Sequence, residues 1–160
     1  MSKKTLPLGH GALLELAMEL PTPFYLYDEE AIIENYRAFK EHFAWAPNFK
    51  NYFAVKACPN PTIISALAKE GSGVDCSSLP ELLISEAVGL AGDDIVFTSN
   101  DTPASEFKKA YELGAIINLD DITHIQFLED TLGLFPETIC FRYNPGPERT
   151  GNAIIGNPVE

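Results

Sequence analysis

Basic residues are few in this chain. Only 11 of its 160 residues are Lys or Arg, against 23 Asp or Glu, and the formal net charge is −12. A protein that binds nucleic acid needs a stripe of basic side chains to neutralise phosphates, so this balance argues against a nucleic-acid partner. Acidity of this kind otherwise favours solubility and names no ligand.

Cysteine is also scarce. Cys58, Cys76 and Cys140 are odd in number and far apart, with no Cys-x-x-Cys pair, so neither a disulfide framework nor a zinc knuckle is indicated. The three histidines lack the spacing of metal ligands, and we predict no metal site. A reducing cytoplasm is the natural environment for such a chain.

Long apolar runs are missing as well. No stretch approaches the roughly 20 apolar residues that a membrane-spanning helix needs, which argues against a membrane partner. The first four residues are not followed by a long apolar stretch, so we expect no signal peptide. With 46% hydrophobic residues, the chain can still form the core of one ordinary domain.

Short apolar runs, by contrast, recur regularly. Their starts lie 22, 21, 21 and 23 residues apart, and each gap between them has the pattern of an amphipathic helix. Such alternation predicts parallel strands joined by right-handed crossovers. The predicted strands are residues 51–55, 73–76, 94–98, 115–119 and 138–142.

Helix-end signals support this division. Asn60 is a good N-cap, Pro61 suits the first helical position, and Gly71 suits the end of the same helix. Ser78 and Glu81 match a capping box for the second helix. The signals for the third and fourth helices are Thr102-Pro103 with Gly114, and Asp120 or Asp121 with Gly133.

Three further elements precede the first of these strands. The sequence predicts a short helix at residues 11–20, a separate strand at residues 23–27, and a helix at residues 29–43 that Asp28 caps.

Periodicity alone leaves two architectures open, a doubly wound open sheet and a (β/α)₈ barrel. The glycine-rich turn of a dinucleotide-binding fold is missing, and Lys56-Ala57-Cys58-Pro59 occupies its place. Five units are too few to close an eight-stranded barrel. We therefore predict an α/β fold that is a truncated (β/α)₈ TIM-type barrel with about five βα units.

Polar residues follow each predicted strand, where α/β proteins bind ligands. Lys56 ends an apolar run without a polar break, so we expect it to be partly buried and able to act as a nucleophile or Schiff-base partner. Arg142 has two open interpretations, a ligand contact or a stacked structural arginine. The other strand-end residues, which alternatively serve only as loop or cap residues, are Asp75, Ser77, Ser99, Asn100, Asn118, Asp120 and Asn144.

Four segments occur in an order and spacing that resemble a known family. They are residues 22–28, residues 52–57 with Asn60-Pro61, residues 71–75 with Glu81-Leu82, and residues 141–146. Together they are similar to the N-terminal part of the diaminopimelate decarboxylases, which are fold-type-III pyridoxal phosphate (PLP) enzymes with an alanine-racemase-like barrel. The resemblance runs from about residue 21 to residue 160.

The resemblance implies PLP as the cofactor and assigns roles to residues. Lys56 corresponds to the lysine that holds PLP as a Schiff base and is the catalytic residue. Asp75 and Glu81 correspond to acidic residues of the strand-two loop near the cofactor, and Arg142 to an arginine near the ring and its phenolic oxygen. The chain departs from the family at Leu79-Pro80, where Gly-Gly is common, and at residues 99–102, where Gly-Asn-Asn-Lys is common.

The resemblance also implies a reaction, the decarboxylation of meso-2,6-diaminopimelate to L-lysine and CO₂ in the last step of lysine biosynthesis. The partner is then a small amino-acid substrate, and the full-length enzyme is a homodimer. Residues 1–27 would join a C-terminal β-domain, and residues 28–160 would form the first part of the barrel.

The resemblance places the phosphate loop, the substrate arginines and a catalytic cysteine beyond Glu160, so we expect this chain alone to be inactive. Alternatives are a sister decarboxylase for ornithine, arginine or carboxynorspermidine, and a non-catalytic PLP-binding or regulatory barrel.

Overall fold

The computed structural model describes residues 7–143, which form one layer of helices against a parallel sheet. A 3₁₀ turn at Val55–Ala57 follows the first strand, and another at Gly92–Asp94 precedes the third. The elements in chain order are α1 (His10–Glu19), α2 (Glu29–His42), β1 (Tyr52–Ala54), α3 (Pro61–Lys69), β2 (Gly73–Cys76), α4 (Leu79–Ala87), β3 (Ile95–Ser99), α5 (Ala104–Glu112), β4 (Ile116–Leu119), α6 (His124–Leu132) and β5 (Ile139–Phe141).

The strand order decides between the two architectures left open by the sequence. The five parallel strands are arranged β1-β2-β3-β4-β5, so every strand lies beside its neighbours in the chain. A doubly wound sheet would reverse this order at a switch point, whereas a barrel continues it. The predicted α/β fold, with five units of a (β/α)₈ TIM-type barrel, is confirmed.

The two faces of the sheet differ because successive strand residues point to opposite sides. One face packs against the helices, where Leu82, Phe107 and Leu128 complete the core. The opposite face carries Asp75, Thr98 and Asn118, which are only partly buried. The helix-facing strand residues, each at most 1% exposed, are Val74, Cys76, Ile95, Phe97, Ile117 and Leu119.

The first two strands pack closely. A Cβ added at Gly73 would lie 2.6 Å from the Tyr52 ring and 2.8 Å from the carbonyl oxygen of Asp94. Only glycine leaves room for this close approach of β1 to β2. The position of the turn that follows β1, residues 55–57, relative to the sheet therefore depends on Gly73.

Most predicted helix ends are confirmed. The Ala31 N–H donates to Asp28 Oδ1 at 3.0 Å at the start of α2, and the Thr62 N–H donates to Asn60 Oδ1 at 3.0 Å at the start of α3. Gly133 ends α6 with a left-handed φ of 71°, a conformation that costs glycine little. These local signals therefore set where each crossover begins and ends.

One capping bond and one helix start differ from the prediction. Ser78 makes no capping bond with its side chain, because its hydroxyl donates to Glu81 instead. Helix α6 begins at His124, three residues after Asp121, because the Asp121 carboxylate accepts bonds from the Thr123 N–H and hydroxyl and closes a tight turn first.

The strand predicted at residues 23–27 is not observed. These residues precede α2 as an irregular segment, and they pair with no strand among the residues that the structure describes. A strand needs a neighbour to accept and donate its backbone hydrogen bonds, so an extended segment without one is not assigned to a sheet.

Candidate functional site

The turn after β1 places Lys56. Val55 is fully buried, and the Cys58 N–H donates to its carbonyl at 3.1 Å, which closes the 3₁₀ turn Val55–Ala57. Lys56 is exposed, so the predicted partial burial is wrong for the part of the chain that the structure describes. Val55 is therefore the last buried residue of the apolar run, and the turn directs the Lys56 side chain away from the core.

A cavity of about 530 Å³ lies at the carboxyl ends of the strands. Its volume is within the usual range for small-molecule sites. It brings together Lys56, Asp75 and Arg142, the three residues that the sequence singled out for cofactor binding. The described residues that line it, all of them polar, are Lys56, Asp75, Ser77, Thr98, Asn100, Asn118 and Arg142.

Asp75 is a partly buried carboxylate in this cavity. Burial raises the pKa of its carboxyl above the ordinary value, and the nearby Glu81 carboxylate adds to the rise. The positive charge of Lys56 and the hydroxyl of Thr98 act in the opposite direction and lower that pKa, but burial outweighs them. The site therefore holds a partly buried acid and, among the lining residues that the structure describes, one lysine.

Arg142 is fixed at the opposite side of the cavity. Its backbone N–H donates to the carbonyl of Leu119 at 2.9 Å, and its Nη1 donates to Asp120 Oδ1 at 2.8 Å. Because Asp120 follows β4 and Arg142 follows β5, this ion pair joins the ends of two adjacent strands. The guanidinium has further N–H groups that can bind an anion from the cavity.

Glu81 is buried and serves the loop between β2 and α4. Its carboxylate accepts hydrogen bonds from the Ser77 N–H at 2.9 Å, the Ser77 hydroxyl at 3.0 Å and the Ser78 hydroxyl at 3.0 Å. The resemblance placed Glu81 near the cofactor. In the structure Glu81 is bonded to Ser77, and Ser77 is the residue of this pair that lines the cavity.

The sequence missed Thr98 and selected its neighbour Ser99. Ser99 is 8% exposed on the helix side of β3, where its carbonyl accepts a bond from the Thr102 hydroxyl at 3.1 Å. Thr98 lines the cavity. The alternation of buried Ile95 and Phe97 is the signal that could have identified Thr98 as the residue on the opposite face. Asn144, also selected, lies outside the described residues.

A second cavity of about 480 Å³ lies between α2, β1 and α3. Its walls are mainly apolar, with Ile32, Phe53 and Leu67 among them, and its lining residues within 7–143 include no lysine or arginine. Covalent chemistry on an amine therefore has no candidate there, and the polar cavity is the better functional site.

Two other findings bear on the kind of site. Among residues 7–143, no group of three or more His, Cys, Asp and Glu side chains is arranged to hold a metal ion. Within the same residues, each helix is too short or too polar to cross a membrane.

The sequence profile of one protein family matches most of the chain. The family is described as pyridoxal-dependent decarboxylase, pyridoxal binding domain, and the match covers residues 29–156. The chain belongs to this family. The cofactor predicted from the sequence, PLP, is confirmed by this match.

Individual relatives support the same assignment. The chain is 46% identical over 143 residues to protein TabA of Pseudomonas amygdali pv. tabaci, and the match covers 89% of this chain and 33% of that protein. The chain is also 34% identical over 146 residues to a diaminopimelate decarboxylase of Methanothermobacter thermautotrophicus, a match that likewise covers 89% of this chain and 33% of that enzyme. The chain spans about a third of the length of the curated relatives it matches.

A solved structure shows the same fold. The crystal structure of lysine decarboxylase from Selenomonas ruminantium matches with a TM-score of 0.71 and 28% identity, over 81% of this chain and 33% of that one. A complex of that enzyme contains PLP and cadaverine.

The residues of the polar cavity fit part of PLP. Lys56 offers the amine that can bind the aldehyde of the cofactor, and Arg142 offers N–H donors to an anionic oxygen. A glycine-rich loop of the kind that binds a phosphate is not found among the cavity-lining residues that the structure describes. The chemistry of these residues therefore fits the aldehyde end of the cofactor and leaves its phosphate without a matching loop among the described lining residues.

We predict that Asp75→Asn stabilises the chain at neutral pH. The folded-state pKa of Asp75 lies above its unfolded value, so its ionisation costs stability as the pH rises through the folded pKa, and asparagine avoids that cost. The gain should shrink as the pH falls toward the unfolded pKa, where the wild-type carboxyl is protonated. Urea unfolding at pH 7 and at pH 4 measures the two differences.

Asp101→Asn is the matched control, because Asp101 is exposed. It should change the free energy of unfolding little at either pH. A loss of stability at pH 7 in Asp75→Asn would show that attraction to Lys56, and not burial, dominates at this position.

Proposed function

We propose that Lys56 is the residue that binds PLP covalently, and that the chain is the cofactor-lysine part of a diaminopimelate decarboxylase. One observation carries this proposal. In a chain of the pyridoxal-binding family, the first barrel strand ends at a cavity whose lining contains one lysine, Lys56, together with Asp75 and Arg142.

The proposed roles follow from charge and position. Lys56 binds the cofactor aldehyde through its Nζ. Asp75 carries a negative charge that interacts with Lys56 and orients it. Arg142, held by Asp120, donates to an anionic oxygen of the bound group. PLP, when bound, supplies the electron sink that decarboxylation requires.

The whole protein's substrate is proposed to be meso-2,6-diaminopimelate, with L-lysine and CO₂ as products. The relative from M. thermautotrophicus supports this choice, at 34% identity. A second candidate is the decarboxylation of L-lysine, favoured by the likeness to the S. ruminantium enzyme. We further propose a cytoplasmic homodimer in which residues 1–27 join a β-domain.

Borohydride trapping tests the role of Lys56. We expect one PLP per chain after reduction, with the label on the peptide that contains Lys56, because reduction turns the bond between PLP and an amine into a stable secondary amine. Lys56→Arg should reduce the labelling to background. Mass spectrometry of the digested protein gives the position and the stoichiometry.

Lys69→Arg is the matched control for that experiment, because Lys69 is an exposed lysine in the last turn of α3. It should leave the labelling unchanged. If the label in the wild-type chain were found on Lys50 or Lys69, the assignment of Lys56 would be wrong.

Activity is tested in a chimera in which this chain replaces the matching third of the M. thermautotrophicus enzyme. We expect CO₂ release from meso-diaminopimelate that Lys56→Ala abolishes and Lys69→Ala preserves. The 160-residue chain alone should release no more CO₂ than free PLP, because it supplies only part of the site. A folded, PLP-containing but inactive chimera would contradict the decarboxylase assignment and favour a non-catalytic PLP-binding barrel.

A further inference from the structure

Three polar side chains lie next to one another on the cavity face of the sheet. Thr98 of β3 and Asn118 of β4 are direct partners in the parallel register. Asp75 of β2 is the partner of Val96, two residues before Thr98, so Asp75 and Thr98 are diagonal neighbours on the same face. All three line the cavity that contains Lys56.

Barrel interiors of this type are usually filled with bulky branched apolar residues, so three adjacent polar side chains are costly unless they bond to one another. Asn118 Nδ2 donates to Thr98 Oγ1 at 3.1 Å. A hydroxyl has one proton and can accept as well as donate. Since the Thr98 oxygen accepts from Asn118, its proton is available for a different acceptor.

Asp75 is the candidate acceptor, because it is the only carboxylate among the cavity-lining residues that the structure describes and is the diagonal neighbour of Thr98. The Thr98 hydroxyl is one of the two groups that favour the charged form of Asp75, and Lys56 is the other. Glu81, behind the loop, opposes them. With Asp75 as the acceptor, the observed bond from the Asn118 amide to the Thr98 hydroxyl continues across a third strand to the Asp75 carboxylate.

We propose that Thr98 is a positioning residue, oriented by Asn118, that holds the Asp75 carboxylate in place in the cavity that Lys56 also lines. This inference rests on the proposed function, since it concerns the partner of the proposed PLP-binding lysine. Thr98 touches neither Lys56 nor the cofactor in this role; it acts through Asp75. The sequence pattern selected Asn118 only as a strand-end residue and did not select Thr98.

The pKa of Asp75 itself tests the proposal without any cofactor. In the full 160-residue chain, labelled with ¹³C at aspartate side chains, we expect Thr98→Val to raise the pKa of Asp75 by about half a unit or more, because a donor to the carboxylate is lost. Thr98→Ser keeps the hydroxyl and should restore the wild-type value. If only the threonine methyl group matters, the result is reversed: Thr98→Val leaves the pKa of Asp75 unchanged and Thr98→Ser shifts it.

Asn118→Ala is the second variant, and it should shift the pKa of Asp75 in the same direction as Thr98→Val by a smaller amount. It decides the question if Thr98→Val does not fold. An unchanged Asp75 pKa in whichever of these variants folds, or equal values for Thr98→Val and Thr98→Ser, would overturn the proposal.

Borohydride labelling of the same variants separates this inference from the proposed function. We expect Thr98→Val to slow the labelling of Lys56 by PLP several-fold and Thr98→Ser to restore the rate. If wild-type Lys56 is not labelled at all, the proposed function fails. The pKa of Asp75 in the Thr98 and Asn118 variants then still tests the hydrogen bonds between these three residues. If Lys56 is labelled but the Asp75 titration is unmoved, the positioning role fails and the proposed function stands.

Discussion

The alternation of side chains along five parallel strands is the constraint on which the rest of the structure depends. Each strand is covered by helices on one face only, so the apolar residues of that face must be buried there. Ile95 and Phe97, Ile117 and Leu119, and their counterparts in β2 form this core with the helices. The remaining positions, among them Asp75, Thr98 and Asn118, are thereby assigned to the other face. The polar cavity lies at the carboxyl end of that second face, and its geometry follows from the packing on the first.

The cavity lining is rich in positive charge, whereas the chain as a whole is acidic. The chain carries a net charge of −12, yet the cavity lining has two cations, Lys56 and Arg142, and one carboxylate. Acidic residues nearby organise the site: Asp120 holds Arg142, and Glu81 holds the loop that carries Ser77. The cavity lining therefore offers positive charge to an anionic group, and the Asp120 carboxylate pairs with one of the two cations, Arg142.

Much of the fold could be predicted from the sequence because it depends on local signals. The five strands and their connecting helices follow from the apolar period and from caps such as Asn60 and Gly133. What failed depends on contacts between distant segments or on the direction of a single side chain. Ser99 was selected where Thr98 lines the cavity, because proximity to a strand end does not say which face a residue occupies. Burial of Lys56 was expected from the apolar run before it, but the burial of a side chain depends on the elements around it. The strand expected at residues 23–27 needs a partner strand, and the described residues do not provide one.

The central claim is that the end of the first strand, and not another lysine or cavity, holds the cofactor. A crystal structure of the chain after incubation with PLP and reduction with borohydride tests this most directly. The account predicts continuous density from Lys56 Nζ to the cofactor, with the ring in the cavity that Asp75 and Arg142 line. Density for the cofactor on a different lysine, or in the apolar cavity beside Phe53 and Leu67, would contradict it.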